Sequence, residues 1–213
     1  MKTENFILAK KLNELYHEQL LKISAHFRGN INSCSLISLD SKTPEKGVSN
    51  VTEENAKKIL ETFNPEAPKR LTPEKELQAW IINYAIRNDN KLPFGEGLQF
   101  ITSEFAARTK GQKVVNDVLA IDQSNNLVVI ELKSKRTTDV MNQAQIFAKF
   151  IAEEDVFFRE LTTLLTGKAW CGKVRCIAIW PHSNGVTRAK NEKYHDVEVI
   201  GYLDNYSFYP ENQ

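Results

Sequence analysis

The segment from Val114 to Lys133 constrains the fold most, because it contains two apolar runs separated by a short polar stretch. The first run holds Val114, Val115, Val118, Leu119 and Ile121, and the second holds Leu127, Val128, Val129, Ile130 and Leu132. Short apolar runs rich in β-branched residues are typical of buried strands. The residues between them, 123–126, are turn formers. We therefore predict a β-hairpin.

Three charged side chains interrupt this apolar hairpin. Asp117 lies inside the first strand, and Glu131 and Lys133 close the second. Side chains two residues apart in a strand point to the same face, so Glu131 and Lys133 share a face. Asp117 joins them only in certain registers, because a slip of one residue sends it to the opposite side of the sheet.

Two registers bring the charges together. If Ile121 pairs with Leu127, the aspartate lies across from Glu131. If Gln123 pairs with Leu127, it lies across from Lys133, and the intermediate register separates the acids. Two adjacent carboxylates repel, and a divalent cation that takes oxygen ligands, with magnesium as the first candidate, relieves the repulsion.

A lysine beside such a cation would hold a phosphate oxygen or an attacking water. The alternative is structural. In it, Asp117 and Lys133 form a cross-strand ion pair and Glu131 is a solvated strand end.

These residues resemble the PD-(D/E)XK nuclease superfamily, whose core is a hairpin with an aspartate on one strand and (D/E)-x-K on the next. The lines NDVLAID and LVVIELK look like its DNA-repair and restriction-type branches. Asn116 stands where the superfamily name has proline. The resemblance implies an α/β fold in which α-helices flank a central mixed β-sheet, the restriction-endonuclease-like core, here with an N-terminal helical extension.

The resemblance also implies roles for the site residues. The metal ligands would be Asp117, Glu131, the carbonyl of Leu132 and Glu74, and they would hold Mg²⁺, for which Mn²⁺ would substitute. Lys133 would orient or activate the hydrolytic water.

A predicted helix upstream of the hairpin supplies Glu74. Thr72 as N-cap, Pro73 at the first helical position and acids in the first turn favour a helix start. The apolar stripe of this helix is Leu77, Trp80, Ile81, Tyr84 and Ala85. The first core helix of the superfamily often donates a glutamate in a pattern like E-x-x-L, which Glu74 fits, with Glu76 as a competitor. Alternatively, both acids only complement the helix dipole.

A second predicted helix follows the lysine, capped by Thr138-Asp139. Its apolar stripe is Val140, Ala144, Phe147 and Ile151. The segment QAQIFAKFI resembles a superfamily helix in which a glutamine, followed four residues later by an aromatic residue, faces the active site. This assigns a hydrogen-bonding role to Gln143, whose alternative is an ordinary surface amide. A further strand, 174–180, would lie beside the hairpin.

Nucleic acid, with DNA as the first candidate, is the partner that the resemblance implies. The basic residues nearest the motif in sequence are Arg108, Lys110, Lys113, Lys135 and Arg136. The net charge of +1 does not itself indicate a nucleic-acid binder, because local neutralisation of phosphates matters more than the total charge. A second basic group, Arg188, Lys190 and Lys193, is interpreted as solvated surface.

The composition indicates an ordinary cytoplasmic protein with no membrane partner. A chain of 213 residues that is 41% hydrophobic and 26% charged can bury one sizeable core. It shows no transmembrane run and no signal-peptide core. Cys34, Cys171 and Cys176 are too few and too poorly spaced for zinc, so we expect buried thiols in a reducing compartment.

We divide the chain into an N-terminal helical cap, residues 1–65, and a nuclease-like domain, residues 66–213. The cap would contain an amphipathic helix marked by Leu8, Leu12, Leu15, Tyr16 and Leu20. A polar stretch from Gly29 to Asn50 and a helix from Thr52 to Phe63 would follow. Many members of the superfamily pair, so a homodimer is one expectation.

The sequence thus predicts a magnesium-dependent nuclease that hydrolyses phosphodiester bonds of DNA in repair, restriction or defence. Two other classes stay open. One is a catalytically silent DNA-binding or protein-interaction domain, since a fold alone does not confer chemistry. The other is a carboxylate metalloenzyme acting on small molecules, which the lack of a glycine-rich cofactor loop disfavours.

Overall fold

The computed structural model describes residues 1–40, 42–43, 47–66, 72–109, 112–137, 139–182 and 196–210. The helices in these ranges are α1 (Glu4–Leu15), α2 (His17–Lys22), α3 (Glu53–Thr62), α4 (Pro73–Arg87), α5 (Asp139–Glu153) and α6 (Asp155–Thr166). The strands are β1 (Ala25–Gly29), β2 (Cys34–Ser38), β3 (Gly47–Ser49), β4 (Gln99–Thr109), β5 (Gln112–Ile121), β6 (Leu127–Leu132), β7 (Val174–Pro181), β8 (Val197–Tyr202) and β9 (Phe208–Pro210).

A six-stranded mixed sheet in the order β4-β5-β6-β7-β8-β9 forms the centre of the fold. Strands β4, β5 and β6 are antiparallel, whereas β7 and β8 continue from β6 in parallel. The parallel step from β6 to β7 needs a long connection, which α5 and α6 supply. The predicted fold class, a mixed sheet flanked by helices, is confirmed, as are the hairpin and the strand beside it.

Helices cover both faces of this sheet, and β6 shows how. Leu127 and Val129 pack into a core cluster with α5 and α6, whereas Val128, Ile130 and Leu132 pack into a second cluster with α4. A strand buried on both faces reads as a continuous apolar run. The predicted stripe of α5 is buried as well, at Val140, Ala144, Phe147 and Ile151.

The N-terminal segment contains more than the predicted helices. The polar stretch 29–50, for which no strand was predicted, contributes to a three-stranded antiparallel sheet of β1, β2 and β3. Its strands left no clear signal in the sequence, because β2 lacks regular alternation and β3 is exposed throughout. The predicted helix at Thr52 is confirmed, with a capping box between Thr52 and Asn55.

The first amphipathic helix differs from its prediction. The chain breaks at Tyr16 into α1 and α2, and Leu15 is 65% exposed. Leu12 and Leu20 of the predicted stripe are buried, and so is Phe6, which was not predicted. The Phe6 ring stacks on Phe105 of β4 at 5.6 Å between centroids, so this segment packs on the central sheet. A domain boundary near residue 65 stays a prediction.

Across the described ranges, no helix combines the length and apolar character needed to cross a membrane. Cys34 and Cys176 are buried free thiols as predicted, and burial raises their pKa to about 11 and about 12. Cys171 is exposed, which corrects that prediction, because it lies in the loop before β7 and not in the sheet. The cytoplasmic location and the homodimer stay predictions.

Candidate active site

The register of the hairpin brings Asp117 and Glu131 together. Ile121 pairs with Leu127 and Val118 with Ile130, so the next pair along the strands sets Asp117 opposite Glu131. The two carboxyls lie within hydrogen-bonding reach of each other. The ladder ends there, and the Leu132 N–H donates to Asp117 Oδ2 at 2.8 Å. The predicted even register is confirmed in the form that pairs the two acids.

Burial makes this acidic pair electrostatically costly. Glu131 is 3% exposed, and burial together with the neighbouring Asp117 charge raises the pKa of its carboxyl well above the ordinary value. Burial also raises the pKa of Asp117, and the nearby Glu104 carboxylate adds to that rise. A buried carboxyl in contact with a second, half-buried carboxyl requires a shared proton or a cation to compensate the pair.

Asn116, which precedes Asp117 on β5, holds Glu131 in place. Its Nδ2 donates to the Ile130 carbonyl at 3.0 Å and to Glu131 Oε1 at 3.1 Å. Its Oδ1 is buried and has no hydrogen-bond partner within the described structure. An unpartnered buried oxygen beside two carboxyls is an arrangement that a hard cation would satisfy.

The donor set therefore fits a magnesium ion. The described residues contain no group of three or more His, Cys, Asp or Glu side chains placed to hold a metal. Mg²⁺ does not need such a cage, because it is commonly bound through one or two carboxylates while it keeps several waters or takes phosphate oxygens. Asp117 and Glu131 supply that minimum.

Lys133 lies directly after β6 and next to the acidic pair. Its backbone N–H donates to the Ile179 carbonyl of β7 at 2.8 Å, which fixes its position at the C-terminal end of β6. The positive charge of its half-buried side chain opposes the upward pKa shift of both Asp117 and Glu131. The predicted charges are thus brought together, although the aspartate faces the glutamate and not the lysine.

Helix α4 brings Glu74 to the loop after Lys133. Glu74 Oε1 accepts from the N–H and the hydroxyl of Ser134, both at 3.2 Å. Glu76 lies instead beside Tyr206, where its charge acts on the phenol. The two glutamates diverge as the helix geometry requires, and Glu74 is the nearer to the motif. Its role as a metal ligand stays a prediction.

The buried face of α4 includes Gln78 and excludes Tyr84, which corrects the predicted stripe. Gln78 Nε2 donates to Glu104 Oε1 at 3.0 Å and to the Asp117 carbonyl at 2.8 Å. Lys75 forms an ion pair with the same Glu104. Sequence reasoning missed Lys75, Gln78 and Glu104. Only Gln78 left a signal, because it shares the helical spacing of the buried Ile81 and Ala85.

Gln143 and Leu132 are the remaining residues that were predicted to belong to the site. Gln143 is exposed on α5, whose helix is described from Asp139 because Thr138 lies outside the described residues. The neighbouring Gln145 instead donates to Asp196 Oδ1 at 2.8 Å. Leu132 is buried, and its peptide adjoins Asp117 through the bond described above.

The predicted basic residues divide into two groups. Arg108 and Lys113 are exposed and pair across β4 and β5, and Lys135 is exposed after β6. Arg136 packs its guanidinium over the Trp180 ring at 5.4 Å and donates to the Pro181 carbonyl at 3.3 Å. Lys110, Arg188, Lys190 and Lys193 lie outside the described residues.

Comparisons with known proteins give distant structural similarities. No family model and no curated protein matches the sequence. An EndoMS–dsDNA2 complex is 19% identical with a TM-score of 0.36 and covers 76% of this chain and 58% of its own. EndoMS in apo form is 17% identical with a TM-score of 0.31 and covers 74% of this chain and 55% of its own.

A repair endonuclease from Pyrococcus abyssi is 13% identical with a TM-score of 0.33. That match covers 83% of this chain and 88% of the endonuclease chain. The chain spans a little under three fifths of the EndoMS chains that it matches.

Proposed function

We propose that this protein is a divalent-metal-dependent nuclease that hydrolyses phosphodiester bonds of DNA. The observation that carries the proposal is the hairpin register that sets the half-buried Asp117 carboxyl against the buried Glu131 carboxyl, with Lys133 directly after them on the same strand end as Glu131. A structural cross-strand ion pair would bring the aspartate to the lysine. The observed register brings it to a second acid, which is costly unless the site serves a cation.

Asp117 and Glu131 would hold the ion, and the unpartnered Asn116 Oδ1 would accept a hydrogen bond from one of the waters that Mg²⁺ keeps. The sequence resemblance adds the Leu132 carbonyl and Glu74 to this proposed set. Magnesium, when bound, supplies Lewis-acid chemistry that polarises a phosphate and makes a water more acidic.

The protein residues would perform the positioning. The Leu132 N–H fixes the Asp117 carboxyl, and the Asn116 amide fixes that of Glu131, so neither acid needs to reorganise. The Lys133 ammonium would hold the attacking water and stabilise the negative charge that develops on the phosphate. Preorganised charge of this kind contributes most in a site from which water is excluded.

A basic surface on the β4–β5 hairpin would hold the DNA backbone. Lys113 and Asp117 lie on one strand four residues apart, a separation of about 13 Å at the usual rise per residue. Arg108 pairs directly with Lys113, so the two cations form one patch. Contacts with phosphate would give affinity without sequence specificity.

The test is cleavage of labelled linear, circular and branched DNA by the full chain with Mg²⁺, Mn²⁺ or EDTA. We expect cleavage with either metal and none with EDTA. Replacing Lys133 with alanine should lower turnover by roughly a hundredfold, the scale of a lost electrostatic contact to a transition state. Lys57→Ala, at an exposed position on α3, is the matched control and should cleave normally.

Two outcomes would refute the assignment. Undiminished cleavage by the Lys133→Ala variant would show that the activity belongs to another site or to a contaminant. DNA binding without cleavage in either metal would favour the alternative of a catalytically silent domain.

A further inference from the structure

Glu104 occupies an unusual position in β4, directly beside the acidic pair. Ser103 pairs with Val118 and Phe105 pairs with Asn116, so Glu104 faces Asp117 across the gap in the ladder. Its φ of +48° lies in the left-handed region, which a residue with a Cβ adopts at a cost in stability. A strained glutamate opposite the proposed catalytic aspartate is a candidate functional residue.

Two side chains of α4 connect Glu104 with Asp117. The Lys75 ammonium forms an ion pair with the Glu104 carboxylate, and the side chains of the two are 33% and 19% exposed. The Gln78 amide nitrogen donates both to that carboxylate and to the Asp117 carbonyl. A single amide group therefore links the two acidic residues.

Glu104 carries a negative charge beside the acidic pair. Burial acts to raise the pKa of Glu104, but the Lys75 ammonium and the hydrogen bonds from Lys75 and Gln78 outweigh it and hold that pKa below its ordinary value. Glu104 is thus an anion, and its charge acts on Asp117. A divalent cation at the acidic pair would be attracted by Glu104 and repelled by Lys75.

We propose that Glu104 and Lys75 are positioning residues that set the cation affinity of the Asp117–Glu131 site with opposite signs. The inference rests on the proposed function and deepens it. Glu104 is not part of a three-acid cage in the described residues, so it acts through its charge and through Gln78 on the Asp117 backbone. Lys75, together with the charge of Arg28, compensates Glu104 before a divalent ion binds.

A purely structural ion pair would behave differently. If Lys75 and Glu104 only tie α4 to β4, neutralising either one lowers the thermal unfolding midpoint and leaves cation affinity unchanged. If they tune the site, the two substitutions move the affinity in opposite directions. The sign of the change therefore separates the two roles.

The experiment measures Mn²⁺ binding to the metal-free full chain without nucleic acid, by calorimetry or by the paramagnetic resonance signal of free Mn²⁺. Glu104→Gln keeps the shape of the side chain and should weaken binding by about tenfold, the scale for residues that support metal ligands. Lys75→Gln should tighten binding. The exposed ion pair of Lys57 and Glu61 on α3 provides matched controls, Lys57→Gln and Glu61→Gln, which should change nothing.

Each result decides the inference. If the wild type binds Mn²⁺ and both variants bind it with the same affinity, the roles of Glu104 and Lys75 are wrong. The same holds if both variants change the affinity in the same direction, and in either case the proposed nuclease is unaffected. No Mn²⁺ binding by the wild type would overturn both proposals. If Glu104→Gln fails to fold, Lys75→Gln alone is decisive, because unchanged or weaker binding by that variant contradicts the inference.

Discussion

The shared environment of Asp117 and Glu131 predicts a specific dependence of stability on pH. Replacing Glu131 with glutamine removes one titrating group and keeps the side-chain shape. The glutamine oxygen would still accept from Asn116, and its N–H₂ group would donate to Asp117 in place of the shared proton. We expect the variant to be more stable than the metal-free wild type at neutral pH.

The sign follows from the raised pKa. Below the ordinary value of 4.5, Glu131 is protonated in both the folded and the unfolded chain, and the stability that its protonated form contributes is fully present. Above it, the unfolded chain releases the proton and the folded chain keeps it, so that stability is lost as the pH rises through the raised pKa. One retained proton corresponds to a loss of about 1.4 kcal/mol per pH unit across this window.

Another titrating group makes the comparison with a variant necessary. His26 is half-buried on β1, and its burial, followed by the neighbouring Arg28 charge, lowers its pKa from 6.5 to about 3. Between those values His26 makes the wild type more stable as the pH rises, with a slope opposite to that of the acidic pair. The His26 contribution cancels in the difference between wild type and variant, whereas the wild-type curve alone would conceal the effect.

The assay is urea unfolding of both proteins in EDTA from about pH 5 to about pH 8. The stability difference should grow in favour of the variant as the pH rises and become constant above the raised pKa. Added Mg²⁺ should then stabilise the wild type more than the variant. A difference that stays constant over the range, or a wild type that gains stability relative to the variant, would refute the paired-carboxyl interpretation.

Three further predictions test other parts of the site. Glu74→Ala should lose cleavage activity at limiting Mg²⁺ and Glu76→Ala should not, since only Glu74 contacts the loop after Lys133. The reverse pattern would show that Glu76 is the acid that serves the site. Asn116→Ala leaves two buried acceptors without a donor and should cost about 1–3 kcal/mol in urea unfolding, so an unchanged midpoint would contradict the described contacts. Lys113→Ala should weaken DNA binding and should reduce by about 1 the slope of the logarithm of the binding constant against the logarithm of the salt concentration. Arg136→Ala should mainly lower stability, because Arg136 packs on an aromatic ring, and equal effects of the two variants on that slope would argue against this division.

The secondary structure near the motif could be predicted because it depends on local patterns. The apolar runs of β5 and β6 and the stripe of α5 are visible as periodicities, which reflect which side of an element faces the core. The chosen register was not visible in those runs. It depends on the turn, where Asp122 Oδ1 accepts the backbone N–H groups of Ser124 and Asn126, both at 2.9 Å, and so closes the hairpin immediately after Ile121.

The N-terminal sheet and β4 were not predicted, and both misses have the same cause. Their strands carry polar residues at positions that solvent or neighbouring elements satisfy, so their alternation is weak. Glu104 is an example, because a charged residue inside a strand usually marks an exposed face. Here the ammonium of Lys75 and the amide of Gln78 make its burial tolerable.

The sequence by itself determined the strand pair, its polar turn and the small set of registers available to the pair. These depend on residues close together in the chain, where the alternation of side chains along a strand limits the choices. Only the tertiary structure decided that the aspartate faces the glutamate, and that α4 brings Lys75 and Gln78 to Glu104. Those contacts join residues up to 39 positions apart in the chain, and they arise from how a helix layer packs on a sheet, which no local periodicity encodes.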